Sequence, residues 1–222
     1  MAIISLDDLY LTRAERQALA TQVHPLLSTR GVPGTHDIEA GIRFMESCLA
    51  GKWSEAICPR FEKEADERAP QETWIMLDRA PDLILFEGWC VGAKAEPEEA
   101  LIEPINQLER EEDPDGIWRQ YVNRMLAEVY PKLFAFFSQW IVLQPHTFES
   151  VQQNRLLQER KLRERILERG GSSAGIMDDA QVVRFVAHYE RLTRWMWHEF
   201  PQRANVTLHL SDNHAIDRVV HA

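Results

Sequence analysis

The sequence predicts an α/β protein built on a parallel sheet. Short apolar runs of strand length, Met1 to Leu6, Leu83 to Phe86 and Trp140 to Leu143, alternate with longer stretches of helical periodicity. The run from Asp82 to Phe86 is hydrophobic almost without a break, which predicts a strand covered on both faces, as parallel sheets require. Two of the runs end in acids, Asp7-Asp8 and Glu87, and ligands of such sheets sit beyond the carboxyl ends of the strands.

The elements follow in order. The first strand delivers Asp7 and Asp8 at its end. Thr12-Arg13-Ala14-Glu15 is a capping box, so a helix should open there and run to about His24. Gly31 to Asp37 is a turn-rich loop whose last residue caps a helix with apolar positions Ile38, Ile42, Met45 and Leu49. Residues 52–81, broken by Pro59, Pro70 and Pro81, read as irregular. After the strand ending at Glu87-Gly88, an acid- and proline-rich loop spans 94–116 and a helix runs from Ile117 to about Phe137. Gln139 to Leu143 is a third strand, stopped by Pro145. A helix dense in Arg and Glu covers 147–169 and should stop at Gly170-Gly171. Another follows from Asp178 to Phe200, and Asn205 to Leu210 is the last strand. Residues 1–222 are expected to form a single domain, within the size range of one hydrophobic core.

Composition narrows the function classes. A formal net charge of −10 disfavours general binding to nucleic acid or to an anionic membrane, which want clustered Lys and Arg, yet it permits a small basic pocket for an anionic substrate. Cys48, Cys58 and Cys90 form no CxxC pair and no zinc spacing, and read as reduced, partly buried thiols. The apolar runs fall far short of the ~20 residues of a membrane span. Asp7 and Asp8 stand where a signal peptide would be basic, so a cytoplasmic protein is expected.

Acids at two neighbouring strand ends suit a magnesium–nucleotide site, because Mg²⁺ takes hard oxygen ligands, often one or two carboxylates plus phosphates. One carboxylate can also accept the proton of an attacking hydroxyl. From the pattern alone, helix capping explains such acids equally well.

Longer stretches decide between these readings. Ser5-Leu6-Asp7-Asp8-Leu9-Tyr10-Leu11-Thr12-Arg13-Ala14-Glu15-Arg16, His24-Pro25-Leu26-Leu27 and Thr29 to Asp37 resemble segments of the D-glycerate 3-kinases and their bacterial kinase-like relatives. Pro59-Arg60-Phe61-Glu62-Lys63, Leu85 to Gly92, Pro104-Ile105-Asn106 with Leu108-Glu109, and Trp118-Arg119 with Val122-Asn123 continue the resemblance in family order. That family is similar to uridine, pantothenate and phosphoribulo-kinases, which implies a P-loop kinase-like fold, ATP and Mg²⁺ as cofactors and a small-molecule hydroxyl as acceptor. By the same resemblance Asp7 is the base toward the acceptor hydroxyl and a magnesium ligand with Glu87. Asp8, Tyr10, Arg30, His36 and Asp37 line the acceptor pocket, and Arg60, Lys63 and Arg68 form a basic group for an anionic acceptor. The helix over 147–169 is the lid, with Arg155, Lys161 and Arg163 closing on the phosphoryl group. Residue by residue, plainer readings stay open: a cap for Asp37, surface ion pairs for Arg60 or Arg68, a solvated Glu–Arg face for the lid helix.

The family's first strand and its GxxxxGK[ST] loop are missing from these 222 residues: Gly51-Lys52 is followed by Trp53, and Gly170-Gly171-Ser172-Ser173 has no Lys. The expectation is therefore a truncated or wrongly started kinase. It would act on glycerate or on a pantothenate- or nucleoside-type acceptor, or else be an inactive remnant.

Overall fold

The computed structural model of the protein describes residues 1–168, 177–211 and 215–221. The chain divides into two compact units, Met1–Glu103 with Glu112–Ser138, and Pro104–Glu111 with Gln139–Ala222.

In the first unit β1 (Ala2–Ser5) pairs in parallel with β6 (Ile84–Glu87), Ala2 opposite Ile84 and Ser5 opposite Glu87. The parallel pairing agrees with the sequence. The double cover does not: Ile3, Leu83 and Leu85 are 56%, 57% and 44% exposed, so the buried side chains lie on one face only. An unbroken apolar run reports hydrophobicity, and says nothing of whether a second layer packs on it.

Beyond β1 the chain turns through a short 3₁₀ segment, Leu6–Leu9, whose two leucines are fully buried. Each such side chain contributes about 1.5–3 kcal/mol, so the turn that carries Asp7 and Asp8 is anchored from below. Helix α1 (Arg13–Gln22) opens on the predicted capping box, Thr12 with Glu15. Helix α2 (Ile38–Leu49) is capped by Asp37. Its buried stripe is Ile38, Gly41, Phe44, Met45 and Cys48; Leu49, predicted apolar-facing, is 74% exposed.

The stretch read as irregular holds two small antiparallel ladders, β2 (Ile57–Cys58) with β5 (Ile75–Met76) and β3 (Phe61–Glu62) with β4 (Glu67–Arg68). Two-residue strands leave no periodicity to read. The acid-rich loop likewise contains a short helix, α3 (Gln107–Glu112), which belongs to the second unit except for its last residue. The single helix predicted from Ile117 is two, α4 (Ile117–Glu128) and α5 (Tyr130–Phe134), parted where Pro131 lacks the N–H that would continue the ladder.

In the second unit β7 (Ile141–Pro145) pairs in parallel with β8 (Val206–Leu210). β8 also pairs antiparallel with β9 (Ile216–His221), an edge strand the sequence reading missed because Asp217, Arg218 and His221 interrupt its apolar run. Helices α6 (Phe148–Glu168) and α7 (Asp179–Glu199) pack through Phe148, Val182 and Val186, with Leu156, Phe185 and Trp197 around them. The predicted stop at Gly170-Gly171 lies outside the described residues. No described helix is long and apolar enough to cross a membrane.

Candidate active site

The carboxyl ends of β1 and β6 lie side by side, because Ser5 and Glu87 are register partners. Gly88 permits this closeness: a Cβ there would sit 2.7 Å from Leu6 Cβ. Glu87 is exposed, and Asp7 follows Ser5 at the neighbouring strand end.

Asp7 is held at both oxygens. Tyr10 Oη donates to Oδ1 at 2.7 Å and Lys63 Nζ to Oδ2 at 2.6 Å. Burial pushes the Asp7 carboxyl up, but the Lys63 hydrogen bond, the Tyr10 hydrogen bond and the Lys63 charge together hold it below the ordinary carboxylate range. Lys63 is 60% exposed, so solvent screens part of its pull and the side chain is free to swing away. Asp8 goes the other way. Burial raises its pKa, and neither the Phe61 N–H at 3.2 Å nor Arg60, 3.9 Å away and half exposed, restores it.

The loop Gly31–His36 is buried throughout, which loops tolerate only when their backbone polar groups are met. Thr35 Oγ1 accepts from Gly31 N, Thr35 O accepts from Leu11 N, and Leu9 O accepts from Asp37 N. His36 stacks on Tyr10 with ring centroids 4.8 Å apart, and Tyr10 meets Phe61 edge-on. Desolvation brings the His36 pKa down to about 3, so the imidazole is neutral at neutral pH. Asp37 does two jobs: Oδ1 caps α2 at Ala40 N, 3.0 Å, and Oδ2 pairs with Arg68 Nη2, also 3.0 Å. Arg68 Nε donates to Tyr10 O as well. Arg30 pairs with Asp66 and lies over the Phe61 ring. A groove of about 540 Å³ opens beside Asp37 and Arg68, lined further by Arg43, Phe44, Lys52 and Trp74.

Thus Asp7, Asp8, Tyr10, Arg30, His36, Asp37, Arg60, Lys63 and Arg68 form one network in the first unit. Arg155, Lys161 and Arg163 belong to the second unit. There Arg155 pairs with buried Glu159 and lies over Phe185, Arg163 donates to Met177 O, and Lys161 is exposed. Other motif residues prove to be scaffold. Asp113 caps α4 through Trp118 N and Arg119 N and pairs with Arg119, while Glu109 takes a two-pronged bond from Arg191.

No protein-family model matches the chain. Over 197 residues it is 31% identical to the chloroplastic D-glycerate 3-kinase of Arabidopsis thaliana, covering 85% of this chain and 39% of that one. Over 195 residues it is 31% identical to an uncharacterized kinase, mug58, of Schizosaccharomyces pombe, covering 83% of this chain and 66% of that one. The chain belongs to the D-glycerate 3-kinase-like family. Among solved structures, D-glycerate 3-kinase from Cryptococcus neoformans superposes with a TM-score of 0.74 at 22% identity, over 100% of this chain and 79% of that one. The YGR205w protein gives 0.68 at 23%, over 99% and 76%. These likenesses establish the α/β P-loop kinase fold for the chain.

Within this family fold, two residues tied to the site escaped the sequence reading. Asp66, in a left-handed turn at φ 54°, gathers Arg13, Arg16 and Arg30, and nothing in local spacing announces it. Tyr130, fully buried, bonds to His36 across 94 positions; its one sequence signal is a polar-tipped aromatic at a helix break.

Proposed function

We propose that the chain provides the acceptor and metal side of an ATP-dependent phosphotransferase, acting on a hydroxyl of a small hydroxy acid of the D-glycerate type. The observation that carries this reading is an ionised, partly exposed carboxylate, Asp7, at a parallel strand end beside Glu87, with cations within reach. In this reading residues 1–222 serve one kinase-like domain. Free, buried Cys48, Cys58 and Cys90 fit a reducing compartment such as the cytoplasm.

Asp7 accepts the proton of the attacking hydroxyl, the task for which a carboxylate must start ionised. Lys63 now occupies Oδ2, and its exposure lets it turn toward the acceptor's carboxylate as the hydroxyl takes its place. Arg68 and Arg60 complete the basic side of the pocket, with His36 and Asp37 beside them. The donor set of Glu87 and Asp7, hard oxygens at adjacent strand ends, fits Mg²⁺, which when bound would neutralise phosphate charge. The 222 residues contain no GxxxxGK[ST] loop to cradle the triphosphate, so no step of phosphate binding is assigned to them. Arg155, Lys161 and Arg163 would act as a lid if their helix closes over the phosphoryl group.

The test is direct. The protein with ATP, Mg²⁺ and D-glycerate should form ADP and a phosphorylated acid, followed by a coupled assay and by ³¹P NMR. Absence of turnover with D-glycerate and with a panel of small hydroxy acids, pantothenate and nucleosides overturns the proposal.

A further inference from the structure

Tyr130 opens α5, is fully buried, and takes no part in the chemistry proposed above. Its hydroxyl lies 2.9 Å from Gly34 N and 2.6 Å from His36 Nδ1. The Gly34 amide can only donate, so it uses one lone pair of Oη. The proton between Oη and Nδ1 then has two possible owners. Were it on Nδ1, Oη would accept twice and its own hydrogen would be left in a sealed core without an acceptor among the described residues, an arrangement that folded proteins avoid. Were it on Oη, each group would be satisfied once. The network therefore places the proton on Tyr130 and leaves Nδ1 as the acceptor.

A neutral imidazole with Nδ1 bare carries its proton on Nε2. That nitrogen has no hydrogen-bond partner among the described residues. Neither is it sealed: among the described residues His36 Nε2 is not one of the fully enclosed side-chain polar atoms that lack a hydrogen bond. His36 as a whole is only 5% exposed, and its unenclosed Nε2 lies on the ring's small open edge. The ring stacks on Tyr10, whose hydroxyl holds Asp7, and the charge of Asp7 reaches it. A single N–H donor at this place suits an acceptor oxygen.

We infer that Tyr130 is a positioning residue of the acceptor site: bridging Gly34 N–H and His36 Nδ1, it fixes His36 as the Nε2–H tautomer, which donates to an oxygen of the hydroxy-acid substrate. This rests on the acceptor-site reading given above for its last step. Burial, which keeps the ring neutral, is consistent with it. Gly34 has a matching constraint. Its φ of 99° and a Cβ that would fall 2.5 Å from a Tyr121 ring carbon exclude other residues, so the amide that orients Tyr130 is itself fixed.

Long-range ¹H–¹⁵N correlation of the ¹⁵N-labelled protein at pH 7 tests the inference, with His36 assigned by its loss in His36→Gln. The expected wild-type pattern is Nε2–H with a bare Nδ1, and Tyr130→Phe should convert it to a mixture of tautomers. Adding D-glycerate should shift the Nε2 signal, and Tyr130→Phe should weaken D-glycerate binding about tenfold, the worth of one hydrogen bond. An Nδ1–H pattern in the wild type overturns the proposal, as does a Tyr130→Phe pattern identical to it. Should Tyr130→Phe not fold, the wild-type spectrum and its response to D-glycerate decide alone. An Nε2 signal indifferent to D-glycerate and to the hydroxy-acid panel also overturns it, whereas the kinase reading stands or falls separately on ADP formation.

Discussion

Asp7 and Glu109 are both carboxylates held by a cation, and the molecule treats them in opposite ways. Glu109 is wholly buried; Arg191 reaches it through two nitrogens at 2.8 and 2.7 Å, and Ile105 N adds a third bond at 3.0 Å. Asp7 is 28% exposed, and its lysine partner is 60% exposed. The sealed pair has no capacity left for a ligand and serves the fold. The open pair retains spare lone pairs and a removable partner, which is what a reacting carboxylate needs. Both lie in stretches that resemble the family, so resemblance alone does not sort site from scaffold. Solvent access does.

The largest effect that would break this comparison concerns Asp7. Asp7→Asn should lower turnover 10²–10⁴-fold, the range of a lost general base, while leaving the denaturation midpoint nearly unchanged; full activity would remove Asp7 from the chemistry. Next comes the sealed pair. Arg191→Leu strands a buried carboxylate and should cost about 3–5 kcal/mol in urea unfolding, and a cost below about 1 kcal/mol would show that the pair is not sealed in solution.

A smaller effect follows from His36. Its folded pKa, about 3, lies below the unfolded value of 6.5, so the unfolded chain binds the extra proton. Stability should therefore be complete above pH 6.5 and fall as pH drops from there toward 3, by up to about 1.4 kcal/mol per unit. Urea midpoints at pH 7 and pH 5 should differ less in His36→Gln than in the wild type. Asp8 sharpens the contrast in the other direction. Its raised pKa means that the ionised form is disfavoured in the fold, so Asp8→Asn should be neutral or slightly stabilising at pH 7, by less than about 1 kcal/mol. The smallest change belongs to the exposed pair Arg160–Asp179 between α6 and α7, where Asp179→Asn should shift stability by no more than about 0.5 kcal/mol.

Much of this was legible in the sequence wherever the signal is local. The Thr12 capping box, the Asp37 cap and the acids at the strand ends are written in adjacent residues, and each occupies its predicted place in the fold. Hydrophobic periodicity located β1, β6, β7, β8 and the long helices. It failed for the two-residue ladders, for β9 with its charged interruptions, and for Leu49, whose spacing suits the stripe but whose position at the helix end leaves it in solvent. The tie between Tyr130 and His36 spans 94 positions and that between Arg16 and Asp66 spans 50, so no window of sequence contains either. Only the resemblance grouped the residues proposed for the acceptor site, and it gave no hint of which neighbours hold them.

Asp66 carries a wider implication. Arg13 and Arg16 on α1, Arg30 before the buried loop, and the β3–β4 turn all meet at its carboxylate. Three separate parts of the chain are thus moored to one anion, none of it touching Asp7. Neutralising that single charge would slacken the moorings together, and it would leave the buried Arg16 guanidinium without its counter-ion.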